Sequence, residues 1–168
     1  MKKESNRVLL PLVLGLMIGF LFLYLNPIKA LKAEDFKRGP ILKVWKLNDG
    51  SGFEIHYTHS VEKSLVIEKY KADGNILKLL ETEFKSYGAG LPATTNDKFE
   101  ITEDGFRISD INKSYPSVIY RTGAEVADHR ILVNGKEDRF LDFSEERAAV
   151  EFSIGNMNIL KFIYLKFF

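Results

Sequence analysis

The chain has 168 residues, enough for one domain with a buried core, and 45% of them are hydrophobic. Its 24 basic and 23 acidic residues leave a formal net charge of +1, so it lacks the basic excess typical of proteins that bind nucleic acid. The absence of cysteine excludes disulfides, and it also excludes the lipid attachment that bacterial lipoproteins make through a cysteine.

An uncharged apolar segment near the start of the chain predicts a membrane anchor. Residues 8–25, VLLPLVLGLMIGFLFLYL, would rise about 27 Å as a helix, close to the hydrocarbon thickness of a bilayer. Lys2, Lys3 and Arg7 lie within residues 1–7 and predict a cytoplasmic N-terminus, with the rest of the chain extracytoplasmic. A cleaved signal peptide is the main alternative, but such peptides have shorter apolar regions and small residues at the cleavage site. We therefore expect a single-pass protein of the cell membrane with an uncleaved anchor.

Two glycines within this segment have the spacing found where membrane helices meet. Gly15 and Gly19 form a Gly-x-x-x-Gly pattern, which lets two helix backbones approach closely. Because glycine is common in membrane helices, the pattern is compatible with a helix–helix contact without requiring one. The partner expected for residues 8–25 is the lipid bilayer.

The chain after the anchor divides into a linker and a β domain. Residues 26–40 have mixed charge, which is typical of a juxtamembrane stalk. Over residues 41–168, short runs of β-branched and aromatic residues alternate with turn signals about eight to twelve residues apart. This pattern predicts a compact all-β extracytoplasmic domain, an antiparallel sandwich or barrel of about nine to ten strands, whose last core strand is FIYLKFF at residues 162–168. The pairs that predict hairpin turns include Asp104-Gly105 and Asn134-Gly135.

The stretch FEIHYTHSVEKSLVIEKY, residues 53–70, carries two of the three histidines. Side chains alternate across a strand, so each face can be predicted from the sequence. The residues expected to face the core are Phe53, Ile55, Tyr57 and His59, and those expected to face outward are Glu54, His56, Thr58 and Ser60. Since His56 and His59 lie on opposite faces, we do not expect them to share a metal. Three histidines without cysteine also argue against a transition-metal site.

The same alternation bears on hydrolase chemistry. A His59–Ser60 dyad requires the strand to end or bulge at His59, and the chain has no Gly-x-Ser-x-Gly nucleophile elbow. We therefore expect no enzymatic activity and no cofactor. A hydrolase that uses His59, Ser60 and Glu68 is the alternative that a break in the strand would favour.

The histidine at the inner end of the strand needs a hydrogen-bond partner. Glu68 on the next strand shares a face with Val66 and Tyr70, and we predict a His59–Glu68 pair that bridges two strands. A structural role is favoured for this pair over ligand binding. His129, the third histidine, opens the strand HRILV and is interpreted as a strand-start residue rather than a ligand.

A glycine-rich stretch, SYGAGLP at residues 86–92, follows a long strand. Gly88 and Gly90 flank Ala89 and allow backbone conformations that other residues adopt at a cost. A tight strand-to-loop turn is the favoured interpretation. The alternative is a loop that presents backbone amides to a ligand or partner.

Several of these stretches together resemble a known family. YTHSVEKS, VIEKY, FKSYGAGLP and HRILVNG resemble the family called domain of unknown function 1850, over about residues 53–154. Its members are small bacterial and archaeal proteins, often with an N-terminal membrane segment, and their genes commonly lie beside those of TRAP-type transporters of the TAXI subclass. The family has no established activity. Leu65 departs from the pattern, because similar sequences often have proline there. The marked residues that the resemblance carries over to this chain are His59, Ser60, Val61, Glu68, Gly88, Ala89, Gly90 and His129.

What the resemblance implies is an extracytoplasmic accessory protein that docks to a TRAP-type transporter, either to its permease or to its solute-binding protein. We expect His59, Ser60, Glu68, residues 88–90 and His129 to support binding or docking. A small-molecule-binding module, with His59, Glu68 and the glycine-rich loop lining a pocket, is the second hypothesis.

Overall fold

The computed structural model describes residues 2–48, 50–86, 96–123 and 126–167, with side chains described from Leu9 onward. Its helices are α1 (Lys2–Leu25) and α2 (Ile159–Phe167), and a short 3-10 helix spans Phe140–Asp142. Its strands are β1 (Ile28–Asp35), β2 (Ile41–Lys46), β3 (Gly52–Thr58), β4 (Leu65–Asp73), β5 (Ile76–Phe84), β6 (Lys98–Thr102), β7 (Gly105–Ser109), β8 (Lys113–Tyr115), β9 (Ser117–Arg121), β10 (Arg130–Val133), β11 (Lys136–Arg139) and β12 (Ala149–Met157).

The strands form two antiparallel sheets. The four-stranded sheet has the order β2-β1-β12-β9, and the eight-stranded sheet has the order β11-β10-β3-β4-β5-β7-β6, with β8 also paired to β5. One hydrophobic core holds buried residues of both sheets, among them Leu31 and Phe152 from the first sheet and Ile55 and Ile131 from the second. The predicted all-β class is confirmed, and the sheets form the sandwich rather than the barrel.

Several local predictions for the eight-stranded sheet are confirmed. Phe53 and Ile55 are buried on the inner face of β3, as the alternation predicts. Asn134 and Gly135 both have positive φ, 52° and 75°, and join β10 to β11 through the type of turn that an Asn-Gly pair favours. The ring of Phe53 stacks on that of Tyr70 with the centroids 5.1 Å apart, which ties β3 to β4 on the core side.

The prediction for residues 26–40 is wrong. Ile28–Asp35 form β1, which pairs with both β2 and β12 in the middle of the four-stranded sheet. Leu31 and Ala33 are fully buried there. The segment looked like a stalk because its core residues are mostly small alanines placed among charged residues, which gives a weak β signal. The described chain therefore has twelve strands rather than nine or ten.

The prediction of a last core strand is also wrong. Ile159–Phe167 form α2, a helix of nine residues. The Asn158 side chain caps its start, because Oδ1 accepts the backbone N–H groups of Leu160 at 2.7 Å and Lys161 at 3.4 Å. Phe162 is buried on one face of the helix against Ala30 and Val44 of the four-stranded sheet. A short run of apolar residues does not by itself distinguish a strand from a helix that buries one face.

The N-terminal segment forms α1, a helix of 24 residues. Its apolar side chains from Leu9 to Leu25 are exposed. Over the residues whose side chains the structure describes, no helix is both long enough and apolar enough to cross a membrane. The transmembrane segment predicted for residues 8–25 is therefore not supported by the structure.

One end of the sandwich lies beside the end of α1, and we call it the proximal end. The Asn158 side chain donates a hydrogen bond to the Tyr24 carbonyl at 3.0 Å, which joins the residue after β12 to the last turn of α1. The turn between β10 and β11 lies at the same end, because Asn134 donates to the carbonyl of Lys46, the last residue of β2, at 2.9 Å.

The other end, which we call the distal end, is reached along β3. Val133, next to the proximal β10–β11 turn, pairs with Phe53, whereas Arg130 pairs with His56. The strand β3 therefore runs from the proximal to the distal end. The segments that meet at the distal end are residues 59–64 after β3, Ser86 after β5, and residues 122–123 and 126–129 before β10.

Candidate functional site at the distal end

The motif HSVEKS forms a tight turn between β3 and β4. The strand β3 ends at Thr58, so His59 leaves the strand instead of continuing its inner face. The His59 N–H donates to the Ser64 carbonyl at 2.8 Å, and the Lys63 N–H donates to the His59 carbonyl at 2.9 Å. The Glu62 N–H donates to His59 Nδ1 at 3.3 Å, so the imidazole accepts a hydrogen bond within the turn. His59 therefore has a local structural role in this turn.

The distal end brings together stretches that are far apart in sequence. The hydroxyl groups of Ser86 and Ser64 are 3.2 Å apart, which joins the end of β5 to the HSVEKS turn. The Thr58 N–H donates to the Ala127 carbonyl at 2.8 Å, which joins the end of β3 to the segment before β10. Gly88, Ala89 and Gly90, which were predicted to help binding, lie outside the described residues.

Exposed apolar side chains lie on these segments. Val61 is 62% exposed in the turn, Leu65 is 41% exposed at the start of β4, and Val126 is 43% exposed before β10. Leu65 lines two cavities. One, of about 320 Å³, is also lined by Phe84 and Phe106, and the other, of about 310 Å³, lies beside His56 and Arg130. Leu65 thus lies between two hollows. We call Val61 and Leu65, the exposed apolar residues of the β3–β4 connection, the distal ridge, and exposed apolar side chains of this kind suit a surface that binds a partner protein.

A polar cluster lies inside the sandwich below this end. Glu68 in β4 accepts hydrogen bonds on Oε2 from the Tyr120 hydroxyl of β9 and from the Tyr70 hydroxyl, the latter at 3.1 Å. The hydroxyls of Tyr70 and Tyr120 are 2.6 Å apart. Glu68 also interacts with the hydroxyl of Tyr57 in β3. One carboxylate thus gathers three phenols from two sheets.

The three phenols keep their protons in this environment. Burial, followed by the negative charge of Glu68, raises the pKa of Tyr57 and the pKa of Tyr70 well above 10.0. Burial and Glu68 likewise raise the pKa of Tyr120. At neutral pH all three hydroxyls are therefore hydrogen-bond donors, which suits a carboxylate that needs partners between two sheets.

His129 packs against this cluster. Its ring stacks on Tyr57 with the centroids 5.3 Å apart and lies 5.3 Å from the Phe140 ring. The Gly123 N–H donates to His129 Nδ1 at 3.3 Å. Burial lowers the pKa of His129 below 6.5, and the charge of Asp128 opposes this only in part. His129 is thus a half-buried aromatic residue that lies immediately before β10, close to the strand start that the sequence predicts.

The predicted His59–Glu68 pair is not formed. Glu68 lies opposite Ile55, whereas Leu65 lies opposite Thr58 at the distal end, so about three residue steps separate the carboxylate from the turn that holds His59. Glu68 does share the inner face with Tyr70, as predicted, but it binds tyrosines instead of histidine. Tyr70 and Tyr120 were missed as partners. The alternation in β4 placed Tyr70 beside Glu68, whereas nothing in the sequence pairs Glu68 with a residue in β9.

The geometry also bears on the hydrolase and metal hypotheses. Ser60 is exposed, and among the hydrogen bonds of the described residues none joins it to His59 or His129. His56 lies outside the core, as predicted, with Nε2 2.7 Å from Glu54 Oε2. Over the described residues, no group of three or more His, Asp or Glu side chains is arranged to hold a metal ion.

One comparison with known proteins supports the family that the sequence motifs indicate. Neither the curated proteins nor the solved structures contain a significant match to the chain. The model of the family described as Domain of unknown function (DUF1850) matches residues 53–140, which is more than half of the chain. These residues include the HSVEKS turn, Glu68, Tyr120 and His129. The chain therefore belongs to the DUF1850 family.

Proposed function

We propose that this protein is a non-enzymatic accessory protein, tethered to a membrane by α1, which binds a partner protein through its distal end. The observation that carries the proposal is the exposed apolar ridge at Val61 and Leu65, at the end of the sandwich opposite α1. The partner that we propose is a component of a TRAP transporter of the TAXI type, as the family resemblance implies.

The exposed surface of α1 supports the membrane tether. Every described side chain from Leu9 to Leu25 is exposed. These side chains are apolar except for the hydroxyl group of Tyr24, and Gly15 and Gly19 have no side chain. Such a surface is unfavourable in water and favourable in a bilayer. Apart from the backbone of α1 itself and the neighbouring residues, no atom lies within 4 Å of a Cβ added at Gly15 or Gly19, which leaves room for a second membrane helix. The topology that we propose, with a cytoplasmic N-terminus and an extracytoplasmic β domain, rests on the sequence of residues 8–25 and on the basic residues that precede it.

The position of the ridge favours one of the two transporter components. The strand β3 has seven residues and separates the ridge from the proximal end by about 24 Å, at about 3.4 Å per residue. A ridge held at this distance from the end of α1 is suited to a partner that stands clear of the bilayer. We therefore favour the solute-binding protein over the permease as the direct partner.

The test compares matched charge substitutions on two surfaces. The full chain is reconstituted in nanodiscs, and its affinity for the purified solute-binding protein of the neighbouring transporter is measured. Leu65→Asp and Val61→Asp are each expected to weaken binding at least tenfold, about 1.4 kcal/mol, as for a central apolar contact. The control is Ile119→Asp on β9, which is 49% exposed and lies outside the distal end. Unchanged binding by both ridge variants, or no binding by the native chain to either transporter component, would refute the proposal.

The proposed topology has a separate test, because the chain has no cysteine. Single cysteines replace Val61 and Lys3, and intact cells are treated with a maleimide that does not cross membranes. We expect Val61→Cys to react from outside, and Lys3→Cys to react only after the cells are permeabilised. The reverse pattern would contradict the extracytoplasmic location.

A small-molecule-binding module is the second candidate. The two cavities beside Leu65, of about 320 and 310 Å³, are at the lower end of the range of ligand pockets. A thermal-shift series with organic carboxylates on the full chain tests it. A concentration-dependent rise in melting temperature that Leu65→Trp abolishes would favour this candidate, because Leu65 lines both cavities and a larger side chain there narrows them.

A further inference from the structure

The helix α2 has two apolar faces, of which one is buried against the four-stranded sheet and the other is exposed. Phe162 is 7% exposed and packs with Leu165 against Ala30 and Met157. Successive residues of a helix are rotated by about 100°, so Ile163, Tyr164 and Phe167 lie on the opposite side. These three side chains are 43%, 63% and 69% exposed.

Lysines border the exposed apolar face on both sides. At about 100° per residue, Lys166 lies beside Ile163 on one flank and Lys161 lies beside Tyr164 on the other. The helix contains no acidic residue. An apolar strip with aromatic residues between two cationic borders is the pattern of a helix that lies in a membrane interface, where lysines reach the phosphates and aromatic rings occupy the headgroup region.

The location of α2 matches this pattern. Asn158, which caps α2, also donates to the Tyr24 carbonyl at 3.0 Å, so α2 begins beside the end of α1. The lipid-facing surface proposed for α1 therefore continues onto α2. A helix whose polar flanks are cationic is complementary to anionic lipid headgroups.

We propose that α2 lies in the membrane interface, with Ile163, Tyr164 and Phe167 inserted among lipids and with Lys161 and Lys166 bound to anionic headgroups. This inference rests on the proposed membrane tether. It adds a second contact with the bilayer, which fixes the β domain with its proximal end on the membrane and its distal end facing away from it.

The test uses two positions of equal exposure at opposite ends of the domain. A nitroxide is attached to Tyr164→Cys, and to Val61→Cys as the matched control, because these side chains are 63% and 62% exposed. The full chain is reconstituted in vesicles of phosphatidylcholine with 30% phosphatidylglycerol. Collision rates of each nitroxide are then measured with oxygen, which concentrates in lipid, and with a water-soluble nickel chelate. We expect the label at position 164 to collide with oxygen and to be shielded from nickel, and the label at position 61 to show the reverse.

Three outcomes separate this inference from the proposed function. A chain that does not float with the vesicles would refute the membrane tether itself. A chain that floats with a label at position 164 open to nickel would refute only the role of α2. Shielding of that label from both reagents would also refute it, because such shielding indicates a protein contact.

The anionic lipid is tested with the same label. In Lys161→Glu, Lys166→Glu chains, or in vesicles of phosphatidylcholine alone, we expect exposure of the label at position 164 to nickel to rise at least threefold. No change under either condition would overturn the assignment of the lysines to anionic headgroups.

Discussion

The Tyr120 hydroxyl of β9 donates a hydrogen bond to Glu68 Oε2 of β4, and this contact joins the two sheets through the interior of the sandwich. Tyr70 donates to the same oxygen at 3.1 Å. A carboxylate between two sheets is costly unless it is hydrogen-bonded, so the phenols are what allows Glu68 to remain there. The cluster therefore acts as a polar clamp between the sheets, directly below the distal ridge.

Removing the Tyr120 hydroxyl tests the clamp. Tyr120→Phe takes away a hydrogen bond to a charged group, and we expect it to lower the free energy of unfolding by about 1.5–3 kcal/mol. Urea unfolding of the full chain in detergent measures the loss. Tyr115→Phe is the matched control, because Tyr115 also packs against the core while its hydroxyl makes no hydrogen bond among the described residues. Equal losses for the two variants would show that the hydroxyl of Tyr120 contributes nothing specific.

The raised pKa values of the phenols predict an alkaline transition. The pKa of Tyr57 and of Tyr70 lies above its ordinary value of 10.0 in the folded protein, because of burial and of the charge on Glu68. The stability from these phenols is thus fully present below pH 10 and is lost as the pH rises toward their folded pKa values. Absorbance at 295 nm should show that three of the seven tyrosines, with Tyr120 as the third, ionise only when the protein unfolds. Ionisation of all seven in one step near pH 10, with the fold intact, would contradict this.

The sequence predicts the parts of the clamp that depend on a single strand, and it does not predict the contact between the two sheets. The alternation in β3 and β4 correctly assigns Ile55, Glu68 and Tyr70 to the inner face, because period-two patterns follow from strand geometry alone. The bond between Glu68 and Tyr120 depends on how one sheet packs on the other. The chain pattern holds no information on which residue of β9 will face β4.

The errors at the two ends of the domain have local causes. In β1 the buried side chains include small alanines among lysines and glutamate, so charge dominates a segment that lies within a sheet. In α2 the aromatic residues suggested a strand, while the signal for a helix was the Asn158 cap together with the 3.6-residue spacing. The alternation extends the strand to Ser60, whereas β3 ends at Thr58, so the turn begins two residues earlier and His59 leaves the strand face.

The lowered pKa of His129 predicts a loss of stability in mild acid. Burial holds this pKa below 6.5 in the folded protein, and the groups that face the ring are the phenols of Tyr57 and Tyr120 and the carboxylate of Asp128. The unfolded chain therefore binds a proton more readily. Stability is complete above pH 6.5 and falls as the pH drops from 6.5 toward the folded pKa.

The check is the slope of the unfolding free energy against pH, measured by urea unfolding between about pH 5 and pH 7, where histidines ordinarily titrate. His129→Phe preserves aromatic packing and should flatten this slope. His56→Gln, which changes the outward-facing histidine, should leave most of it in place. If His56→Gln flattens the slope and His129→Phe does not, the assignment to His129 is wrong.

The cap of α2 provides a test of the proximal end. Asn158→Ala removes the acceptor for the first turn of α2 and the donor to the Tyr24 carbonyl, and we expect a loss of about 1 kcal/mol. Asn158→Asp keeps the cap and removes only the bond to α1. Circular dichroism and urea unfolding should therefore rank the native chain first, Asn158→Asp second and Asn158→Ala last. Equal losses for Asn158→Asp and Asn158→Ala would show that the contact with α1 accounts for the whole effect and that the cap adds nothing.

Gly105 has no room for a side chain. Its φ is +140°, and an added Cβ would lie 2.4 Å from the Phe84 carbonyl oxygen and 2.8 Å from Lys85 Cα, both of them backbone atoms. Gly105→Ala should therefore force β7 away from β5 and lower the unfolding free energy by about 3 kcal/mol. The matched control is Gly135→Asn, since Gly135 has a φ of +75° that asparagine tolerates and no atom within 4 Å of the added Cβ. Urea midpoints should fall sharply for Gly105→Ala and stay close to the native value for Gly135→Asn.

The same substitution bears on partner binding, because Phe84 and Phe106 line the cavity beside Leu65. Gly105→Ala should therefore also weaken partner binding at the ridge. Tight binding by a destabilised Gly105→Ala chain would place the docking surface elsewhere.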